Sequence, residues 1–290
     1  MPIDQTIDPR AQERSLSPPR VPAPWRPRPL PVLCALIVGL VLFFLILPTV
    51  IIVPMSLNAS SHLTFPPSAL TLDWYRAFFS DPDWIASTLF SLKIALWTSL
   101  ASTIIGTMSA LAIVRGELPF KAAIQAMAIG PMIVPHVVLG VALYLVFAPL
   151  ELTGSLTGFL IGHTVLSVPF VVITVTASLQ RLDPALELAA ANCGATRLQS
   201  FIHVTFPNIL PGIAAGAVFA FLASFDEATV AFFISDIDGK SIGRKMFEDI
   251  DFNLTPVIAA ASTVVVAASL CLIGIAHLIS SSASSRTKQE

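Results

Sequence analysis

The sequence contains few charged residues. Asp, Glu, Lys and Arg make up 12% of its 290 residues, whereas hydrophobic residues make up 55%. A soluble domain of this length could not bury so much apolar surface, which places the chain in a lipid bilayer. The net charge of -2 offers no basic face to nucleic acid, so we predict membrane lipids as surroundings and no nucleic-acid partner.

Groups that would carry chemistry are also scarce. The three cysteines, Cys34, Cys193 and Cys271, have no disulfide or metal-ligand spacing and predict buried free thiols. The sequence contains no G-x-x-x-x-G-K-[ST] loop, so it cannot cradle nucleotide phosphates. No nucleophile stands beside a base. We therefore predict a protein that is not an enzyme, with no catalytic residue, no metal and no cofactor.

Long apolar runs are what the chain does have. The first, residues 32–54, is too long for the core of a signal peptide and predicts an uncleaved span. Five more runs are long enough to cross a bilayer core, which takes about 20 helical residues. They cover roughly residues 84–114, 122–150, 158–179, 209–234 and 256–279. This pattern predicts an all-α membrane protein with six transmembrane helices.

The rest of the chain gives the domain boundaries and the orientation. Residues 1–29 are rich in Pro and Arg and predict a disordered tail; residues 30–280 form the membrane domain, and residues 281–290 a second tail. Six spans place both termini on one side. With that side inside, the inner segments hold eleven basic residues and the outer loops four. The positive-inside rule therefore predicts cytoplasmic termini.

Proline and glycine interrupt two spans. Gly130, Pro131 and Pro135 fall in the third, and Pro169 falls in the fourth. Proline removes a helical hydrogen bond, and a membrane tolerates this where protein or water satisfies the freed carbonyl. Two interpretations stay open: a bent helix that lines a pathway, and a packing kink without contact to cargo.

The fifth span carries one face of small residues. They recur at every fourth position: Gly212, Gly216, Ala220 and Ser224. Another helix can approach such a face closely. We predict a packing seam here rather than a pore wall.

The longest inner loop, residues 180–207, carries signals for two short helices. Asp183 is expected to cap a helix that starts at Pro184, and Gly194 to end it in the left-handed conformation. Thr196 begins a T-x-x-Q capping box for the second helix, which Pro207 is expected to stop before the fifth span. One hypothesis is that the apolar face of the second helix binds a partner protein, with Phe201 filling a pocket there. The alternative is an amphipathic loop that lies on the membrane surface.

This loop resembles the signature loop of permease subunits of ATP-binding-cassette (ABC) importers, usually written E-A-A-x3-G-x9-I-x-L-P. Leu188 stands where the signature has its glutamate, and Glu187 precedes it by one position. Because that glutamate is absent, the resemblance does not carry over a salt bridge from it to the ATPase. The residues that match are Ala189, Ala190, Gly194, Val204, Phe206 and Pro207.

The resemblance extends over about residues 30–279 and is similar in detail to the spermidine/putrescine branch. Segments 65–75, 91–95, 162–171, 224–227 and 246–260 carry it. It implies an importer-type ABC transmembrane domain in the bacterial inner membrane, with residues 183–212 as the coupling loop. The implied partners are an ATPase dimer, a second homologous permease and an extracytoplasmic solute-binding protein. Related branches carry ferric iron, thiosulfate or phosphonate, so those cargoes are alternatives to a polyamine.

Three ionisable residues are predicted inside spans: Asp226, Glu227 and Lys93. Such groups are costly in a membrane and are often functional. Asp226 lies 17 residues after Ile209, about 25 Å along a helix, which places it in the outer part of the bilayer. Two hypotheses stay open. Asp226 or Glu227 offers a carboxylate to a cationic cargo, or the acids form a structural pair with Lys93 or a loop base.

Two histidines also lie in predicted spans. His163 sits among apolar residues and is interpreted as a hydrogen-bonded structural residue rather than a cargo or proton site. His136 follows Pro135 and is expected to bond a carbonyl that the kink frees. The five histidines do not cluster with acids or cysteines, which is why no metal site is predicted.

Two other protein classes fit the hydropathy. An ion-coupled secondary transporter would show internal repeats and ionisable groups near the bilayer midplane, whereas the acids here are placed toward the outer side. A structural membrane scaffold would leave the two-helix loop and the interrupted spans without a purpose. An importer permease subunit accounts for both features.

Overall fold

The structure, a computed structural model, describes residues 29–235, 239–252 and 255–286. All but the last residue of the predicted N-terminal tail lie outside the described residues. Regular structure in the described ranges is helical, apart from one isolated antiparallel bridge between Asn58 and Leu70. The helices are α1 (Pro29–Ser56), α2 (Asp73–Ser80), α3 (Pro82–Arg115), α4 (Lys121–Ile133), α5 (His136–Phe147), α6 (Leu156–Arg181), α7 (Pro184–Asn192), α8 (Arg197–Ser200), α9 (Phe206–Phe225), α10 (Thr229–Ile234), α11 (Ile242–Phe252) and α12 (Val257–Arg286).

Five helical stretches are long and apolar enough to cross a membrane. They are Pro31–Ser56, Pro82–Arg115, Leu156–Arg181, Arg197–Phe225 and Val257–Gly274. The bent pair of α4 and α5 brings the number to six if it counts as one span. The fold is therefore the predicted all-α membrane fold with five to six spans. Helix α12 continues to Arg286, into the segment that was predicted as a C-terminal tail.

The third span is broken rather than gently kinked. Helices α4 and α5 meet at 102°. Pro131 is accommodated inside α4, and the break falls at Val134 and Pro135, both of which are extended. A residue that precedes proline avoids the helical conformation, which explains why α4 ends where it does.

The predicted fifth span is divided near its C-terminal end. Helix α9 ends at Phe225, and the short helix α10 begins at Thr229. The side chain of Glu227 accepts a hydrogen bond from the backbone N–H of Val230 at 2.8 Å. A carboxylate at the start of a helix satisfies a free N–H and favours a new helix there, so the apolar run of residues 209–234 is two helices and not one.

Helices α3, α6 and α9 pack together at the centre of the fold. The predicted small face of α9 is buried, and a side-chain carbon on Gly216 would lie 2.5 Å from Thr174 Oγ1 and 3.0 Å from Val171 Cα of α6. Gly106 of α3 approaches the same Val171. The predicted packing seam is confirmed. A glycine of α3 and a glycine of α9 both lie close to the buried Val171.

The cysteines differ in part from expectation. All three are free, but each is exposed rather than buried. Cys34 and Cys271 lie on apolar helices, where exposed surface can face lipid, so an apolar sequence around a cysteine does not require burial by protein.

Candidate functional site

The first half of the coupling loop forms as the sequence predicts. Asp183 Oδ1 accepts a hydrogen bond from the N–H of Ala185 at 2.9 Å, and Pro184 begins α7. The helix ends before Gly194, which has φ +85°. The predicted cap, the first residue and the left-handed end of this helix are confirmed.

The second half starts as predicted and continues differently. The N–H of Thr196 donates to Gln199 Oε1 at 2.8 Å, and the N–H of Gln199 donates to Thr196 Oγ1 at 3.3 Å, which confirms the capping box. The expectation that Pro207 stops this helix is wrong. A widened turn over Phe201–Thr205, in which the N–H of Phe206 reaches the carbonyl of Phe201, joins α8 to α9. Because Pro207 then lies in the first turn of α9, its missing N–H does not break the helix.

The signature residues occupy two kinds of position. Ala190, Gly194 and Val204 line a shallow pocket of about 380 Å³ between α7 and the widened turn. Ala189, Phe206 and Pro207 are exposed, Phe201 is half-buried, and the Phe201 and Phe206 rings lie 6.1 Å apart. The loop therefore presents a small concave surface rimmed by apolar side chains.

Glu187 lies on the inner side of this loop. One of its carboxylate oxygens, Oε1, lies 3.2 Å from Arg115 Nη2 and accepts a hydrogen bond from Thr205 Oγ1 at 2.7 Å. Arg115 is the last residue of α3. The sequence identifies Arg115 only as one of the eleven basic residues on the predicted inner side. No local pattern links it to Glu187, which lies far along the chain.

A cavity of about 640 Å³ lies at the other end of α9. Asp226, Glu227 and His136 bring polar groups to it, and Asp226 is exposed. Its aromatic walls come from Phe170, Phe219 and Phe247. Carboxylates beside aromatic faces form surroundings that favour an organic cation.

Glu227 and Asp226 are not equivalent. Glu227 is buried, and its Oε2 lies 2.8 Å from His136 Nδ1 while its other oxygen caps α10. Its side-chain partner is thus His136 and not Lys93, which lies exposed on α3. The expectation that His136 bonds a freed carbonyl is replaced by this pair. Glu227 therefore has a structural partner, but it is neither Lys93 nor a loop base as the structural hypothesis named, and the cargo hypothesis stays open for Asp226.

His163 has the structural role that was predicted. It is buried in α6, and its Nδ1 lies 2.9 Å from Ser224 Oγ and 3.1 Å from the Ser224 carbonyl. Ser224 belongs to the small face of α9. This contact therefore joins α6 to α9 near the C-terminal end of α9.

The apolar helical fold defines a multi-pass membrane protein. Residues 102–287 match the family described as binding-protein-dependent transport system inner membrane component. The chain belongs to this family and is an inner-membrane permease subunit of an ABC importer.

Curated relatives and solved structures agree with this placement. The putrescine transport system permease protein PotI of Escherichia coli K12 is 30% identical over 86% of this chain and 88% of its own. The spermidine/putrescine permease protein PotC of Haemophilus influenzae is 25% identical over 81% of this chain and 91% of its own. A bacterial ABC transporter that imports alginate shares the fold at a TM-score of 0.68, with 16% identity over 86% of this chain and 94% of its own. The MetNI methionine ABC transporter does so at 0.59, with 15% identity over 69% and 95%.

Proposed function

We propose that this chain forms half of the translocation pore of an ABC importer for a polyamine, spermidine or putrescine. The cavity beside Asp226 is the observation that carries the proposal: an exposed carboxylate at the mouth of an aromatic-walled space of about 640 Å³. Aromatic faces attract ammonium groups, and a carboxylate pairs with them directly. The names of PotI and PotC support the same chemical class.

The coupling loop, residues 183–212, would connect this pore to an ATPase dimer. Its docking surface comprises Ala189, Ala190, Gly194, Phe201, Val204, Phe206 and Pro207. Glu187, the remaining predicted coupling residue, faces Arg115 and Thr205 of this chain instead. The small residues let a partner backbone come close, and the apolar rim fits a groove in the partner. In this arrangement the loop and both termini lie in the cytoplasm, and Asp226 lies toward the outside.

Three kinds of partner complete the transporter. A second homologous permease supplies the other half of the pore, the ATPase dimer binds the coupling loops, and a solute-binding protein delivers cargo to the outer mouth. Closure of the ATPase dimer would move α7 and switch the pore between inward- and outward-facing states. ATP hydrolysis belongs to the ATPase partners.

The test is the ATPase activity of the purified complex in lipid, measured with candidate binding proteins loaded with spermidine, putrescine or another solute. Stimulation by a polyamine-loaded partner alone is the expected result. Stimulation by a partner loaded with iron, thiosulfate or phosphonate would support the importer function and reject a polyamine as the cargo. Absence of a co-purifying ATPase would reject the partnership and favour an ion-coupled transporter.

A further inference from the structure

The coupling helix α7 is held in place with little apolar packing. Each of its nine residues is exposed or half-buried. Burial of apolar surface is the usual source of helix stability in a folded protein. A helix that buries so little needs other contacts if it is to transmit a displacement without swinging about its two ends.

Glu187 supplies such a contact from the first turn of α7. Its Oε1 atom accepts a hydrogen bond from the Thr205 hydroxyl at 2.7 Å and lies 3.2 Å from Arg115 Nη2. The Arg115 and Glu187 side chains are only 30% and 28% exposed. A hydrogen bond to an ionised group in partly dry surroundings is stronger than a neutral one and less screened by salt.

The two partners of Glu187 belong to different pore helices. Arg115 is the last residue of α3, and Thr205 ends the widened turn that leads into α9. Helices α3 and α9 both pack on α6 at the centre of the fold. A displacement of α7 would therefore reach α3 and α9 through one carboxylate, whereas the chain itself connects α7 directly only to α6 and α8.

We propose that Glu187, Arg115 and Thr205 form a three-way tie that makes α7 move as one body with the ends of α3 and α9. Glu187 is then a positioning residue for energy coupling inside this subunit rather than a docking contact for the ATPase. This inference rests on the proposed importer function. It also gives the acid before Leu188 a role that does not need the signature glutamate.

The experiment measures solute imported per ATP hydrolysed by the complete complex in proteoliposomes. E187Q and R115Q are expected to lower this ratio by about fivefold or more, the lower end of typical coupling between sites, while the ATPase still co-purifies and hydrolyses ATP. R115K keeps the charge and should retain most of the ratio. E117Q and R181Q are the control variants, because both residues are exposed, Glu117 follows α3 two residues after Arg115 and Arg181 ends α6.

A double variant separates the tie from two independent effects at helix ends. Acidic residues in a first turn and basic residues in a last turn each favour their own helix, and such separate effects add. If the tie exists, E187Q/R115Q is no worse than either single variant. Additive losses, or single variants with the wild-type ratio, would overturn the proposal.

Two further readouts keep the test decisive. If a glutamine variant does not assemble with the ATPase, T205V removes only the hydroxyl donor, and a wild-type ratio for T205V overturns the tie. If the wild-type complex itself shows no ATP-driven uptake, the proposed function fails. A working wild type with unaffected variants rejects the tie alone.

Discussion

His136, which lies at the bend of the broken span, contacts Glu227, with Nδ1 of the imidazole 2.8 Å from Oε2 of the carboxylate. His136 is the first residue of α5, and Glu227 lies between α9 and α10. The same carboxylate caps α10 at Val230. One buried acid thus connects the bend to the segment that joins α9 and α10.

Removing this charge is expected to lower stability. E227Q keeps the size of the side chain but weakens the contact with His136, which should cost about 1 to 3 kcal/mol because the group is buried and hydrogen-bonded. The measurement is the thermal unfolding of the purified protein in detergent. E151Q, which changes an exposed acid, is the control. An H136Q/E227Q variant that loses the sum of the two single effects would contradict a direct pair.

Asp226 is expected to affect transport rather than stability. D226N keeps the shape of the side chain and removes the charge that a cationic cargo would meet in the cavity. A hydrogen bond to a charged group contributes about 1.5 to 3 kcal/mol, so polyamine uptake at low concentration should fall by roughly tenfold or more. Uptake by reconstituted complexes measures this, with E151Q again as control. Unchanged polyamine uptake and cation selectivity in D226N would remove Asp226 from the substrate path.

The glycine seam predicts a cost for one added methyl group. G216A would place a carbon 2.5 Å from Thr174 Oγ1, and overpacking of this kind costs about 1 to 3 kcal/mol. G39A makes the same change in a span where none of the described residues has an atom within 4 Å of the new carbon. Unfolding of G216A at a lower temperature than G39A is the expected result. Equal unfolding temperatures would mean that α6 and α9 move apart to accommodate the added carbon with no loss of stability.

Local features of the fold followed from the sequence, since they depend on neighbouring residues. The cap at Asp183, the left-handed Gly194 and the capping box at Thr196 are each determined within a few positions. The regular spacing that ends at Ser224 likewise predicted a buried seam, because helical geometry alone places those residues on one face.

Contacts between distant segments did not follow. The sequence contains the charges of Arg115 and Glu187 but no sign that they meet, since no periodicity relates positions so far apart. The pairing of Glu227 with His136 depends on the 102° bend, and proline marks the position of a break without giving its angle. The position of Pro207 inside α9 was also not predicted, because a proline in a sequence is compatible both with the first turn of a helix and with the end of one.

The left-handed turn at Gly194 is expected to be needed for ATPase binding. G194V forces a β-branched residue to φ +85°, which costs about 1 to 2 kcal/mol or more and reorients α7 relative to α8. We expect the ATPase to be lost from the purified complex. G194N is the control, because asparagine tolerates this conformation. Retention of the ATPase by G194V would show that docking does not require the turn.

Helix α11 is expected to loosen in acid through Glu248. Partial burial raises the pKa of Glu248, but hydrogen bonds and attraction from Arg244 and Lys240 outweigh burial and leave the pKa below the ordinary carboxyl value. Arg244 Nε lies 2.9 Å and Lys240 Nζ 3.1 Å from the carboxylate, and Arg244 also stacks on Phe232 of α10. Because the pKa is lower in the folded state, the stabilisation is complete above the ordinary carboxyl pKa and is lost as pH falls through the folded value.

Amide hydrogen exchange in α11 at a series of pH values, corrected for intrinsic exchange rates, measures this loss. Protection in the wild type should exceed that in E248Q at pH 7, and the two should converge in acid. Asp249, which pairs with Lys245 at 3.0 Å in the same helix, is present in both proteins, so the difference between them isolates Glu248. A difference that persists unchanged in acid would show that Glu248 stabilises α11 by packing and not by its charge.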